Sequence, residues 1–292
     1  MLVTWRYRPR GSFIQSFDPR AFLIFYACFL VSTLLFWDVR FQAFFFSIAM
    51  LFLLTSRLTW REIRRPLLFI GSFIIFFSFL TLLTGRGGME VYEQEHVIRR
   101  IQAGFTLFGW RPVLLISVER VFFALSQLAR VFSIAILTVL IPYSLNPALY
   151  GITFSGLGFP DKIAYAMDLT MRYVPSFGRD FQLTLDAQRA RGYELENLRG
   201  GLVAQVRKMI PLIVPVTIHA IVASEDIIDA MDLRAFGVKT RTWLEELVYL
   251  RRDYLLIGFG VSMLILSISA ATLGLGIFWV PADLVARYPV LP

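Results

Sequence analysis

The sequence predicts an all-α integral membrane protein with about five transmembrane helices and two long amphipathic helices on the cytoplasmic side. The 292 residues are 57% hydrophobic and 17% charged, whereas a soluble domain has roughly 45–50% apolar and about 25% charged residues. The apolar residues gather in runs long enough to cross a bilayer, and arginines gather between some of these runs. One long interior segment differs, because its apolar residues recur with helical periodicity among many charges.

The charge and the cysteine content argue against nucleic-acid binding, an intramolecular disulfide and a cysteine metal cluster. A net charge of +8 could indicate a nucleic-acid partner, but basic loops beside apolar spans are what the positive-inside rule produces, so we expect no nucleic acid. The single cysteine, Cys28, allows neither an intramolecular disulfide nor a cysteine metal cluster. We expect the lipid bilayer as a partner, and no bound metal or other cofactor.

Residues 1–141 are predicted to form an N-terminal membrane region with four helical spans. The pair Asp18-Pro19 predicts the start of the first helix, since proline fits the first helical turn. A tight turn near Asp38 makes the first two runs a hairpin. The three apolar runs and the fourth helical pattern are Ala21–Trp37, Val39–Thr55, Pro66–Leu83 and about Pro112 to Ile141.

Two parts of this region do not fit a simple span. Residues 84–112 are predicted to hold an amphipathic segment on the surface. Arg130 lies within the fourth helical pattern. A charged side chain in hydrocarbon is costly, so we expect Arg130 to face other helices or polar groups.

The arginines predict the orientation. The segment between the second and third runs carries Arg57, Arg61, Arg64 and Arg65, which places it, and the N-terminus two spans earlier, in the cytoplasm. Residues 142–252 contain 13 of the 29 lysines and arginines and are predicted to be a cytoplasmic region, which the family resemblance described below makes a coupling-helix region. Residues 253–292 then form the final transmembrane helix, about Tyr254–Val280, and a C-terminal tail.

The cytoplasmic region contains two amphipathic helical patterns. Apolar residues spaced by three or four define one face of each helix. In the first they are Ile163, Met167, Met171, Val174, Phe177, Phe181 and Leu185, and in the second Leu202, Val206, Ile210, Ile213, Val216, Ala220, Ala223, Ile227 and Met231. Prolines should bend both helices, at Pro175 in the first and at Pro211 and Pro215 in the second.

Both patterns end in the same way. Each end has Asp-Ala, an arginine five residues after the aspartate, then a small residue and an aromatic one. The two arginines are Arg191, five residues after Asp186, and Arg234, five after Asp229. Small neighbours leave a guanidinium free to enter a partner's groove, where arginine can form bidentate bonds to a carboxylate better than lysine can.

At these helix ends the chain resembles the transmembrane T component of energy-coupling factor (ECF) transporters, the EcfT/CbiQ family. The two arginine-centred motifs of that family are matched here, although the second has alanine where glycine is more typical, so its turn geometry is expected to differ. The matching motifs are Ala190-Arg191-Gly192 and Leu233-Arg234-Ala235. Further similar stretches are Phe17-Asp18-Pro19-Arg20, Leu157-Gly158-Phe159-Pro160, Arg172-Tyr173-Val174-Pro175 and Lys239-Thr240-Arg241-Thr242.

The resemblance implies a non-catalytic subunit of an ABC-type importer in the cell membrane of a prokaryote. Two cytosolic ABC-type ATPases would dock on the two arginine motifs. A small membrane-embedded subunit, the S component, would reorient to release a vitamin or a transition-metal ion inside. The residues expected to support the coupling helices are Asp186, Gln188, Asp229, Met231, Asp232, Pro160 and Pro175.

Two other functions compete with this one. The chain has no GxxxxGK[ST] phosphate-binding loop, so any ATP energy must come from a partner. A stand-alone secondary transporter or channel would need polar residues inside several spans, and the first three offer little beyond Gln42, serine and threonine. An intramembrane magnesium-dependent enzyme resembling prenyltransferases would use carboxylates such as Asp226, Asp229 and Asp232, but the sequence has one such cluster and not two.

Overall fold

A computed structural model describes residues 7–84, 96–102, 113–193, 202–238 and 243–288. The chain forms two compact units. Arg8–Leu145 and Tyr249–Pro292 form the first, here called the membrane unit, and Asn146–Val248 with Met1–Tyr7 form the second, here called the coupling unit. The stretch at 239–242 that resembles the family lies outside the described residues.

Helices make up nearly all of the described structure, which confirms the predicted fold class. Their bounds are α1 Pro19–Leu34, α2 Val39–Thr55, α3 Trp60–Thr84, α4 Val118–Ser144, α5 Tyr150–Gly156, α6 Asp161–Ala190, α7 Leu202–Leu233, α8 Arg251–Thr272 and α9 Ala282–Val285. Short 3₁₀ turns occur at Ile14–Ser16 and Pro147–Leu149. The last span therefore ends earlier than predicted, because α8 gives way to a turn in which Gly274 and Gly276 have positive φ.

Aspartates begin the first two helices, as the Asp18-Pro19 pair predicted. The Asp18 carboxylate accepts the Arg20 amide at 2.8 Å, and Pro19 follows at the first helical position. Asp38 caps α2 in the same way through the Arg40 amide at 2.9 Å. These bonds satisfy amides that no helical carbonyl can reach, which fixes where each helix starts.

The structure corrects the predicted start of the third helix. The apolar run begins at Pro66, but α3 begins at Trp60, so Pro66 lies inside the helix. A proline lacks the N–H that would bond to the carbonyl four residues earlier, here that of Glu62. The Tyr143 hydroxyl donates to the Glu62 carbonyl at 3.1 Å. This bond from α4 replaces the missing intrahelical one and lets α3 continue through the proline.

The structure also corrects the segment before α4. Val97–Gln102 (β1) and Val113–Ser117 (β2) form an antiparallel pair, where the sequence pattern had suggested a surface amphipathic segment and an earlier start of the fourth helix. Valine and isoleucine in both segments favour strands. Ser117 then ends β2 and caps α4, since its hydroxyl accepts the Arg120 amide at 3.3 Å.

Hydrogen bonds at both ends of the membrane unit define the relative direction of α1 and α8. The Asp18 amide donates to the Asp253 carboxylate at 2.9 Å, so α1 and α8 start together. At the opposite end, the Trp37 amide donates to the Gly276 carbonyl at 3.0 Å. Helices α1 and α8 therefore run in the same direction, and α2 runs back after the turn at Asp38.

Arg130 lies beside the turn between α1 and α2. It is 5% exposed, donates through Nη2 to the Phe36 carbonyl and lies 4.3 Å from the Trp37 ring centroid. Gln42 donates to the Thr33 carbonyl at 2.9 Å and to the Phe36 carbonyl at 2.8 Å. The arginine and the glutamine thus satisfy carbonyls at the end of α1, and Arg130 faces polar groups as the sequence analysis expected.

Four helices within the described residues are long and apolar enough to cross a membrane: Trp60–Leu82, Val118–Ser144, Met209–Leu233 and Arg251–Thr272. The shorter apolar helices α1 and α2 accompany them. The protein is therefore a multi-pass membrane protein. The segment Met209–Leu233 belongs to α7 of the coupling unit. The sequence predicted an amphipathic helix there, but this segment is apolar enough along its length to cross a membrane.

Candidate functional site

Helices α6 and α7 of the coupling unit pack as an antiparallel pair. Three contacts show the direction, because positions later in α6 meet positions earlier in α7. The rings of Tyr165 and Phe236 are 4.4 Å apart between centroids, His219 Nδ1 lies 3.8 Å from an Asp180 carboxylate oxygen, and Gln188 Nε2 lies 3.2 Å from the Pro211 carbonyl oxygen.

The predicted apolar faces are only partly buried. Most of the stripe on α6 is half-buried, but Ile163 and Phe177 are exposed. On α7, Val216 is buried, as is Leu212, which the stripe did not include, whereas Ile210 and Ile213 are exposed. Helix α7 also carries a second apolar row that faces outward, formed by Val214, Ile218, Ile221, Val222 and Ile228.

The first arginine motif forms a helix cap. Helix α6 ends at Ala190, Arg191 is the C-cap, and Gly192 adopts φ +83°. The Tyr193 amide donates to the Gln188 carbonyl at 3.0 Å and the Gly192 amide to the Arg189 carbonyl at 2.9 Å. These two bonds define a Schellman motif, in which a left-handed residue closes the helix and satisfies its last carbonyls.

The second arginine motif forms the same cap. Arg234 follows the end of α7, and Ala235 adopts φ +51°. The Phe236 amide donates to the Met231 carbonyl at 3.0 Å, and the Ala235 amide donates to the Asp232 carbonyl at 2.9 Å. The alanine therefore makes the turn that Gly192 makes in the first cap, and the expectation of a different geometry at Ala235 is wrong.

The two caps lie at opposite ends of the helix pair. Phe236, next to Arg234, contacts Tyr165 near the start of α6, whereas Arg191 follows the other end of α6. At about 1.5 Å of rise per residue, the roughly 26 residues between Tyr165 and Arg191 separate the caps by about 40 Å. One small partner groove cannot receive both arginines at this separation.

Both arginines are on the surface. Arg191, Arg234 and their neighbours Ala190, Gly192, Leu233 and Ala235 are all exposed. Arg234 also borders a groove of about 1080 Å³, which is lined by charged residues from both helices, among them Asp168, Arg172 and Asp226.

The residues expected to support the helices have several roles. Gln188 and Met231 are half-buried and supply the carbonyls that close the caps. Asp186 lies 3.6 Å from Arg189, one turn along the surface of α6. Pro160 precedes α6 at its N-cap, and Pro175 lies inside that helix.

The aspartates of α7 lie on the surface of the helix. Asp226, Asp229 and Asp232 are all exposed. Across the part of the chain that the structure describes, no three histidine, cysteine, aspartate or glutamate side chains come close enough to hold a metal ion.

Two contacts of the coupling unit were not predicted from the sequence, although Gln188 itself was among the residues expected to support the helices. The Gln188 side chain reaches α7, and Trp243 Nε1 donates to the Ser155 hydroxyl at 3.1 Å. Trp243 also lies against Gly151, where an added Cβ would be 3.1 Å from the indole and 2.6 Å from the Asp168 Cβ. Glycine at position 151 leaves room for this close approach of α5 and α6, since any side chain there would meet Asp168.

The fold and the site define an α-helical multi-pass membrane protein that carries a pair of long antiparallel helices with matching arginine caps. Residues 10–243 match the family model of the cobalt transport protein CbiQ. The chain belongs to this family.

Curated relatives agree with this assignment. The energy-coupling factor transporter transmembrane protein EcfT of Exiguobacterium sibiricum is 26% identical over 264 residues, which cover 86% of this chain and 92% of the relative. The EcfT proteins of Staphylococcus aureus and Brevibacillus brevis are 23% and 27% identical; the alignments cover 86% and 85% of this chain, and 90% of each relative. These names support a transmembrane component of an energy-coupling transporter and a transport subunit rather than an enzyme.

Proposed function

We propose that this chain couples ATP hydrolysis by two cytosolic ABC-type ATPases to the movement of a membrane-embedded S component. The observation that carries the proposal is the pair of matching arginine caps at opposite ends of α6 and α7. Each cap presents one arginine, and the separation of about 40 Å, from the rise per residue of a helix, suits two ATPase subunits with one groove each.

The cap geometry suits a docking role. A Schellman motif fixes the backbone on both sides of the arginine, so the guanidinium starts from a defined position. Such preorganisation lowers the entropic cost of binding. The guanidinium can then form a bidentate pair with a carboxylate in the ATPase groove.

The ATPases must supply the chemical energy. The sequence has no phosphate-binding loop of the P-loop type, so ATP hydrolysis requires another subunit. Docking arginines have to be cytoplasmic for this purpose, and the concentration of lysine and arginine in residues 142–252 favours that side of the membrane. The N-terminus is then cytoplasmic as well.

The outward apolar row of α7 supports an S component as the second partner. Ile218, Ile221 and Ile228 are 54–56% exposed on a helix that is long and apolar enough for a membrane. An apolar membrane subunit can cover such a row. The S component would carry the cargo, a vitamin or a transition-metal ion, and release it inside the cell.

Co-purification from the host tests the docking role. We expect Arg191→Glu combined with Arg234→Glu to abolish recovery of the ATPases, because each reversed charge opposes a carboxylate that the arginine had paired. Loss of a buried charged partner costs about 2–5 kcal/mol, so even the single variants should reduce recovery at least tenfold. The matched control is Arg179→Glu, an exposed arginine on α6 outside the cap.

The outcomes separate the competing functions. Two ATPases and a small apolar protein recovered with the tagged wild-type chain would support the proposal. A double variant that inserts into the membrane and still recovers the ATPases at the wild-type level would show that the caps do not dock them. A lone, stable chain that itself turns over a substrate would favour the secondary transporter.

A further inference from the structure

A backbone carbonyl in the middle of α7 lacks its normal helical partner. Pro215 has no N–H, so the carbonyl of Pro211 cannot receive the usual bond from the residue four positions later. Gln188 of α6 supplies a donor instead, with Nε2 at 3.2 Å from the Pro211 carbonyl oxygen. One side chain of α6 therefore holds the proline break of α7.

The same glutamine is part of the first arginine cap. Its own carbonyl accepts the amides of Arg191 at 3.1 Å and Tyr193 at 3.0 Å. The main chain of Gln188 thus lies inside the cap that presents Arg191, while its side chain lies at the weakest point of the neighbouring helix. Gln188 alone therefore connects the Arg191 cap to the proline break of α7.

The membrane unit shows the same bonding pattern for comparison. Pro66 leaves the Glu62 carbonyl without its helical partner, and the Tyr143 hydroxyl of α4 donates to it. Tyr143 is 4% exposed, so that bond lies within a packed interface. Pro211 is exposed, where water can hydrate a carbonyl. Water can therefore take the place of the Gln188 amide at this carbonyl, so the bond is not needed merely to satisfy it.

We propose that Gln188 is a positioning residue that transmits displacement of the Arg191 cap to the proline break of α7. This inference rests on the proposed ATPase docking. When an ATPase moves the cap, the Gln188 backbone moves with it and its amide pulls the Pro211 carbonyl. Helices bend at prolines because a hydrogen bond is missing there, so the half of α7 beyond Pro215 changes its angle.

Two spin labels on α7 measure this bend directly. Met209→Cys and Ser224→Cys are exposed positions on either side of the break, and Cys28→Ala removes the native thiol. The labels start about 22 Å apart at 1.5 Å per residue. The complex is purified with its ATPases, and the distance between the labels is measured by double electron–electron resonance before and after ATP with vanadate.

The variants differ in whether they keep a donor at position 188. We expect the nucleotide-dependent distance change to fall by more than half in Gln188→Leu and Gln188→Glu, which have no donor, and to persist in Gln188→Lys, which has one. Gln182→Leu, an exposed glutamine on the same helix, is the matched control and should behave as wild type. ATPase recovery is measured for every variant alongside the distance, because these substitutions change only the side chain of residue 188 and leave the backbone carbonyl that closes the Arg191 cap.

A further variant excludes a purely structural role. Pro215→Ala restores an N–H that can bond to the Pro211 carbonyl, so it should repair Gln188→Leu if the glutamine only satisfies that carbonyl. We expect no repair. An unchanged distance shift in Gln188→Leu, or its repair by Pro215→Ala, would overturn the inference. Loss of the ATPases from Gln188→Leu would also overturn it, by making Gln188 a docking residue, whereas failure of the wild-type chain to recover ATPases would overturn the proposed function itself.

Discussion

Exchanging glycine and alanine between the two arginine caps should shift their local stabilities in opposite directions. Gly192 and Ala235 occupy the same position of the same motif, with φ of +83° and +51°. An L-residue with a side chain is strained in this region, whereas glycine is not. We therefore expect Gly192→Ala to loosen the first cap and Ala235→Gly to tighten the second.

The magnitude follows from two opposing contributions. The left-handed conformation costs a residue with a Cβ about 1–2 kcal/mol. Folding costs glycine about 0.4–1 kcal/mol more conformational entropy than alanine, because the unfolded chain is more flexible at glycine, and this partly offsets the strain of alanine. A Cβ added at Gly192 meets no atom within 4 Å, so no clash adds to the cost. The net effect is about 0.5–1 kcal/mol per cap, or roughly a two- to fivefold change in local opening.

Hydrogen exchange at the cap amides measures this opening. The Tyr193 amide bonds to the Gln188 carbonyl and the Phe236 amide to the Met231 carbonyl. We expect Tyr193 to exchange roughly two- to fivefold faster in Gly192→Ala, and Phe236 more slowly by a similar factor in Ala235→Gly, from the same free-energy difference. Exchange at the wild-type rate in both variants would refute the matching cap geometry. Faster exchange of the Phe236 amide in Ala235→Gly would also refute it.

Two further predictions concern the packing of each unit. Gln42→Leu should destabilise the membrane unit by about 1–2 kcal/mol, since two hydrogen bonds to buried carbonyls are lost. The control Ser47→Ala, on the exposed side of the same helix, should change the free energy of unfolding by less than about 0.5 kcal/mol. Thermal unfolding in detergent compares the two variants, and equal midpoints would contradict the role of Gln42. Gly151→Ala should destabilise the coupling unit by about 1–3 kcal/mol through overpacking, because its Cβ would lie 2.6 Å from the Asp168 Cβ. Gly258→Ala, with nothing within 4 Å, is the control and should be neutral or stabilising; protease sensitivity of the coupling unit should rise in the first variant alone.

Much of the fold could be predicted because helix signals are local. Asp18-Pro19 marks the start of α1, and the run Val39–Thr55 coincides with α2. The amphipathic patterns also placed α6 and α7 correctly within a few residues. Each of these signals depends on neighbours in sequence, such as a cap or a period of 3.6 residues.

The errors arose where a distant contact overrides a local signal. Pro66 looked like a helix start, but Tyr143 satisfies the carbonyl that the proline frees, so α3 begins at Trp60. The short strands β1 and β2 form because they pair with each other. A strand's backbone groups need a partner strand, which periodicity within one segment cannot reveal.

The sequence by itself determined that this chain is a helical membrane protein with two similar arginine-bearing helix ends, since composition, charge and periodicity are all readable along the chain. The tertiary structure decided that the two ends adopt one backbone geometry despite Gly192 and Ala235, and that they lie at opposite ends of an antiparallel pair. It also decided that Gln188 reaches the break in α7. The physical reason is that the bond between α6 and α7 depends on the register of two helices, whereas the cap at Ala235 depends on a left-handed dihedral that residue type predicts for glycine and not for alanine.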